Sequence, residues 1–189
     1  EFGATSYLAC WGRGAPTESG TAIFDGDGLF MQNKAVTFAD ITDGTSNTAA
    51  FSESLLPDSN MSEPAILTQW NKDVVIVGAS SRSDPFLTVE WCTRFDQPVA
   101  SRPNRGARWV DGFVLYTAYY HWWEPNSRIP DCAKWSPLRS LWQMARSHHP
   151  GGVNVAFADG SVRFVSQTVD LEAWRALGSR NGGEVPGNF

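Results

Sequence analysis

The residues best able to do chemistry in this chain gather in SHHPGGVNVAFADGSVRFV, residues 147 to 165. The stretch holds two adjacent histidines, His148 and His149, and an Asp159-Gly160 pair that follows His149 after nine intervening residues. A histidine within hydrogen-bond reach of a carboxylate is the core of a general-base dyad. Two histidines sharing a face could hold a metal ion. The intervening residues argue against both. They alternate apolar and polar, which is the pattern of a half-buried strand, and Asp-Gly is the strongest short hairpin signal. Asp159-Gly160 at the centre of a two-residue type I′ turn places Ala158 opposite Ser161, Phe157 opposite Val162, Val155 opposite Phe164 and Val153 opposite Ser166. Val153, Val155, Phe157, Val162 and Phe164 then share the buried face. Most of the interval from His149 to Asp159 is extended, so the two side chains lie on the order of 20 Å apart. Adjacent His148 and His149 point to opposite sides. The expectation is structural: His149 ties down the loop entering the strand, and Gly160 permits the turn.

Other chemistry-bearing residues are sparser. FDGDGLF places Asp25 and Asp27 two apart on a glycine-rich turn, which is how calcium loops begin. Val36 stands where an EF-hand needs its glutamate, so calcium would require an irregular site, and a plain Asp-Gly turn is the simpler reading. Ser46 in DITDGTSNT has no GxSxG elbow or nearby histidine to activate it, so this stretch reads as a capped turn entering the strand TAAFSE. No phosphate loop, dinucleotide fingerprint or HExxH occurs. Cys10, Cys92 and Cys132 form no CxxC and no zinc spacing. They are compatible with one disulfide and a leftover thiol, or with three buried free thiols. Nine tryptophans are present, and YYHWWEPN puts Trp122 beside Trp123. Exposed, such a pair stacks on sugars or marks an interface; buried, it fills the core of a loop-rich domain.

The elements that must position these residues are short. The chain has 189 residues, enough for a single globular domain spanning 1–189. Hydrophobic residues make up 42% and charged residues 19%, the balance of a folded protein rather than a disordered one. The net charge of -5, with no cluster of Lys or Arg, excludes a nucleic-acid partner held through phosphates. No apolar run is long enough to span a bilayer. The opening EFGATSYLAC is neither an initiator methionine nor a leader, and reads as the start of a processed or truncated chain. Strands are expected at TAIF, GLFM, TAAFSE, DVVIVGAS, FLTVEW and across RWVDGFVLYTAYYHW. Helices are expected at PLRSLWQMARS, with Ser136 as N-cap, and at DLEAWRAL, where Leu171, Trp174 and Leu177 share a face, with Gly178 at the C′ position. A weaker helix is expected within SEPAILTQW, and residues 92–111 read as a long surface loop. The fold class is α+β, an antiparallel sheet with two or three short helices and long loops.

Together these motifs resemble the prepilin-type processing-associated H-x9-DG family, whose signature is His149, nine residues, then Asp159-Gly160. DITDGTSNT resembles its upstream motif; GARWVDGFVLYTAYY followed by EPNSRIPDC is similar to its middle motif; VDLEAWRALGSRNGGEV is similar to its C-terminal motif. The family is abundant in planctomycete-like bacteria and carries no established catalytic residues. The resemblance implies a pilin-like or pseudopilin-like globular domain that normally follows a cleaved prepilin leader and a long hydrophobic helix. Here that helix is absent: it was trimmed, or a separate chain supplies it. The implied role is structural, in a type IV pilus-like filament or a secretion pseudopilus built from like subunits. The implied place is the cell surface, outside the cytoplasmic membrane. Export also favours oxidised cysteines, with Cys92 and Cys132 as the disulfide and Cys10 free. The alternative is an extracellular carbohydrate- or surface-ligand-binding module using Trp122 and Trp123, with calcium at Asp25 and Asp27. No enzymatic role is expected.

Overall fold

A computed structural model describes residues 3–14, 26–56, 75–78, 105–129, 131–134, 140–184, 187 and 189; for 75–78, 115, 132–134, 140 and 141 it describes the backbone alone. Eight strands are described: β1 (Tyr7–Gly12), β2 (Ala49–Glu53), β3 (Val75–Gly78), β4 (Ala118–Tyr120), β5 (Asp131–Lys134), β6 (Ser140–Trp142), β7 (Gly152–Phe157) and β8 (Val162–Ser166). Two helices accompany them, a single turn α1 (Val114–Thr117) and α2 (Leu171–Gly178). A five-stranded sheet runs in the order β4-β1-β2-β7-β8, and a three-stranded sheet in the order β3-β5-β6. The class is α+β with a sheet-rich core. The sheets are mixed rather than antiparallel, because β1 pairs β4, and β3 pairs β5, in parallel. Both pairs join strands far apart in sequence, where no hairpin dictates direction. No described helix is long and apolar enough to cross a membrane.

The core lies between one face of the large sheet and α2. Leu8, Cys10, Tyr119, Val153, Val155, Phe157 and Val165 point inward and meet Trp174 and Leu177. The sequence specifies α2 closely. Asp170 caps it, its Oδ1 accepting from the backbone N–H of Glu172 and of Ala173 at 3.0 Å each. Leu171, Trp174 and Leu177 fall on the buried side, as the spacing requires. Gly178 is the last helical residue, with Ser179 as the C-cap, two positions from the expected C′.

The second expected helix is absent where the structure describes it. Residues 140–142 form β6, antiparallel to β5, and Met144 bridges Tyr120. Residues from Trp142 to Ser147 are all buried, polar and apolar alike. A segment enclosed on every side has no solvent face, so helical spacing of its apolar residues carries no information about it. The long strand expected across 108–122 also divides. Asp111 Oδ1 accepts from the Phe113 N–H at 3.0 Å and starts the turn α1, leaving only Ala118–Tyr120 as strand. The helix expected within 62–70 and the loop at 92–104 lie outside the described residues.

The hairpin exists in a different register. β7 and β8 pair with Val153 opposite Val165, Val155 opposite Arg163 and Ala156 opposite Val162. The connection is therefore the three residues Ala158, Asp159 and Gly160. The Gly160 N–H bonds the Phe157 carbonyl at 2.9 Å, and only Gly160 takes positive φ, at 84°. This is a type I turn closed by a left-handed residue, not a type I′ turn. Its cause is tertiary. The Ala158 and Asp159 amides donate to the carbonyls of Thr48 (2.9 Å) and Thr45 (3.1 Å) in the neighbouring turn, so the Ala158 amide is not free to close a two-residue loop. The one-residue slip exchanges the faces of β8: Val165 is buried, while Val162 and Phe164 are exposed.

Gly160 has open space where a Cβ would stand, so a substitution there costs backbone strain alone. Gly160→Val is expected to destabilise by about 1–2 kcal/mol, with Gly160→Asn losing clearly less. Urea unfolding of the two variants checks this, and equal stability of both with the parent would contradict the turn.

Candidate functional site

The motif residues His149 and Asp159 sit at opposite ends of one strand of the large sheet. His149 lies just ahead of β7, and Asp159 just after it. Six strand residues separate them, roughly 17–20 Å of extended chain. His149 Nε2–H donates to Glu53 Oε1 at 3.0 Å, and its backbone N–H donates to Ser147 Oγ at 3.1 Å. Glu53 also accepts from Asn154, through the backbone N–H at 2.7 Å and the side-chain amide at 3.2 Å. This histidine therefore clamps the loop entering β7 to the end of β2. Asp159 Oδ1 accepts from the N–H of Ser161 at 2.9 Å and its O–H at 2.6 Å. Those bonds hold the Asp159 carboxyl below the usual range and shape the hairpin loop.

The upstream motif is the socket for that loop. Besides receiving the Ala158 and Asp159 amides, it holds the chain end through Asp43. The Asp43 carboxylate accepts from Ser179 Oγ at 2.9 Å and from the N–H groups of Gly182 (2.8 Å) and Gly183 (2.9 Å). The three motifs thus form one hydrogen-bonded assembly of turns. Among the described residues no histidine bonds Ser46, which leaves it without a base.

Asp27 is paired with Arg13. Its carboxylate accepts from the Arg13 N–H at 2.8 Å and from Arg13 Nε at 2.5 Å, and Arg13 continues to Glu184. Asp25 lies outside the described residues. Among the described residues no cluster of three or more His, Cys, Asp or Glu could hold a metal ion.

Trp122 and Trp123 are half-buried and pack against Trp142 and Met144. The Trp122 ring stacks on Trp142 with centroids 5.4 Å apart, and the Arg175 guanidinium lies 4.2 Å from its centroid. The backbone carbonyls of both residues are used: Trp122 O accepts from Arg175, and Trp123 O from Trp174 Nε1 at 2.8 Å. The Trp122 ring thus packs between Trp142 and Arg175. Cys92 lies outside the described residues, and so does the side chain of Cys132. Cys10 is a buried free thiol whose pKa burial pushes up to about 12, which removes it as a nucleophile.

Sequence reading missed two buried polar centres. In the first, Asp131 on β5 receives Arg105 at one oxygen and Arg146 Nε at the other, the latter at 2.8 Å, with all three side chains fully buried. Arg105 also donates to the Leu55 carbonyl, and Arg146 to those of Ser127 and Ile129. The only sequence signal was that Asp131 stands next to Cys132, which ends the middle motif. The second centre is His121, which lies flat on Trp174 with ring centroids 3.6 Å apart. Its Nδ1 stands 2.6 Å from the Trp174 carbonyl, which can only accept, so Nδ1 carries the proton and Nε2 accepts from Tyr119 O–H at 3.0 Å.

Burial lowers the His121 pKa to about 3, against the hydrogen bond to Trp174, which raises it. The unfolded chain takes up a proton below about pH 6.5 that the folded protein refuses until near pH 3. Stability is therefore full above about pH 6.5 and falls as pH drops from there towards 3, by about 1.4 kcal/mol per unit. Urea titrations at pH 7 and pH 5 should differ by roughly 2 kcal/mol from this group, and His121→Gln should lose that part of the difference. An unchanged pH difference in the variant would remove His121 as its source.

No curated protein and no solved structure matches the chain. A family model matches residues 5–172. The match covers all eight described strands and the motif turns up to the start of α2, and on it the chain belongs to the family described as protein of unknown function DUF1559 (SBP_bac_10).

Proposed function

We propose that this domain is an assembly subunit, the globular part of a pilin-like or pseudopilin-like protein of the H-x9-DG type, displayed outside the cytoplasmic membrane. The observation that carries the reading is the open face of the large sheet. Cross-strand pairing puts Tyr7, Phe51, Val162 and Phe164 on the side away from α2, at exposures of 56%, 42%, 65% and 51%. The four strands β1, β2, β7 and β8 span about 14 Å between outer axes, wide enough for one helix of about 10–12 Å. An apolar helix ahead of β1, from the same precursor or another chain, fits this face. The motif residues support the reading by their work: His149, Asp159 and Asp43 fasten turns. They perform no proton transfer on a shared substrate.

Expression with an N-terminal prepilin helix tests it. The expected result is oligomers or fibres visible by electron microscopy, lost on Phe51→Asp while the domain still folds. A helix-bearing protein that stays monomeric in membranes would overturn the reading.

A further inference from the structure

The large sheet has two edges, β4 and β8. The β4 edge is closed. Tyr120 N–H donates to the Gln143 carbonyl at 2.6 Å, and Tyr120 bridges Met144 in parallel. β8 has no comparable cover among the described residues. The bonds from Phe157 N–H to Ser161 O and from Gln167 N–H to Gly151 O, each 2.8 Å, fix which residues of the strand bond β7. Residues 161, 163, 165 and 167 face β7. Val162, Phe164 and Ser166 turn their backbone groups outward. Of these, among the described residues only the Ser166 carbonyl is engaged, by Val169 N–H at 3.1 Å.

Proteins blunt such edges with lysine, proline or a bulge. β8 reads VRFVS, has no bulge against β7, and leaves Val162 and Phe164 exposed beside the unpaired backbone. Its one charge is turned away, because the Arg163 guanidinium lies over the Phe157 ring at 4.7 Å and the Phe189 ring at 5.4 Å.

We infer that β8 is a strand-addition edge that pairs antiparallel with β8 of a second copy, about a two-fold axis at Phe164. Three features select a second copy. β8 is the only open edge of this sheet among the described residues, so edge-to-edge pairing of two copies joins like to like and closes on itself. Centring on Phe164 uses the outward N–H and C=O of Val162 and Phe164. It also sets Arg163 opposite Val165 and Val162 opposite Ser166, so no like charges face each other. The contact is separate from docking of a helix on the sheet face and does not rest on it. Five paired residues bury less than the roughly 1,200 Å² of a stable complex, so the dimer is weak and forms at high concentration.

Sedimentation equilibrium of this 189-residue chain is expected to show monomer at low concentration and dimer as it approaches about 1 mM. Phe164→Lys should weaken association at least tenfold with an unchanged melting temperature. Amide exchange at Val162 and Phe164 in the unmodified protein should slow as dimer accumulates. F164C should give a covalent dimer on oxidation, since a residue on the two-fold meets its counterpart at about 5.5 Å between Cα atoms, within disulfide range. V162C should not, because its counterpart lies about 13 Å away. Monomer at every concentration, association that survives Phe164→Lys, or equal cross-linking by V162C would each overturn the assignment. Slowed exchange that appears only with an added extended peptide would overturn it in favour of a foreign strand.

Discussion

Replacing Asp131 with alanine is expected to destabilise the fold by about 3–5 kcal/mol, the largest effect of any single substitution at a polar residue here. Asp131 is the only carboxylate described between two fully buried guanidinium groups, Arg105 and Arg146. Its removal leaves two cations in a low-dielectric interior without the carboxylate they share. It also breaks the joint between the sheets. Asp131 belongs to β5 of the small sheet, and its Oδ1 receives the Met144 N–H at 3.2 Å. Arg105 reaches Leu55 just past β2 of the large sheet, and the Arg146 N–H bonds Glu53 O at 2.9 Å. Urea unfolding checks the prediction. Replacing Arg105, Asp131 and Arg146 together by apolar residues of similar volume should recover much of the loss, because a buried ion network is costly mainly when broken. A loss below about 1 kcal/mol for Asp131→Ala would mean that water reaches the arginines.

Trp174→Ala should cost about 3–5 kcal/mol for a different reason, the cavity it leaves. Trp174 is fully buried at the centre of the core, stacked on His121, and its Nε1 satisfies the Trp123 carbonyl. Removing it exposes the buried imidazole to a void and orphans that carbonyl. At about 2–4 °C per kcal/mol for a domain of this size, the melting temperature should fall by roughly 6–20 °C. Trp174→Phe should lose less, since it keeps a ring over His121 but not the indole N–H. Calorimetry distinguishes the two, and equal losses would show that the hydrogen bond, not the volume, dominates.

Several features were legible in the sequence because their causes are local. Asp170, with Leu171, Trp174 and Leu177 at helical spacing, defines α2 almost to the residue, since a cap and one apolar face suffice for a helix that rests on a sheet. The existence of the β7–β8 hairpin follows from alternation and Asp-Gly, and the separation of His149 from Asp159 follows from the extended chain between them. Tertiary structure decided the rest. β8 carries Val162 and Phe164 on one side and Val165 on the other, so its pattern fits either register. The choice came from Thr45 and Thr48, more than a hundred residues away, which capture the loop amides. Residues 140–147 show helical spacing yet become a strand and a buried crossing segment, because β5 offers backbone partners and the two sheets enclose every side chain whose burial is described. Arg105, Asp131 and Arg146 are unremarkable as letters. Only the meeting of two sheets removes them from water and makes one carboxylate indispensable.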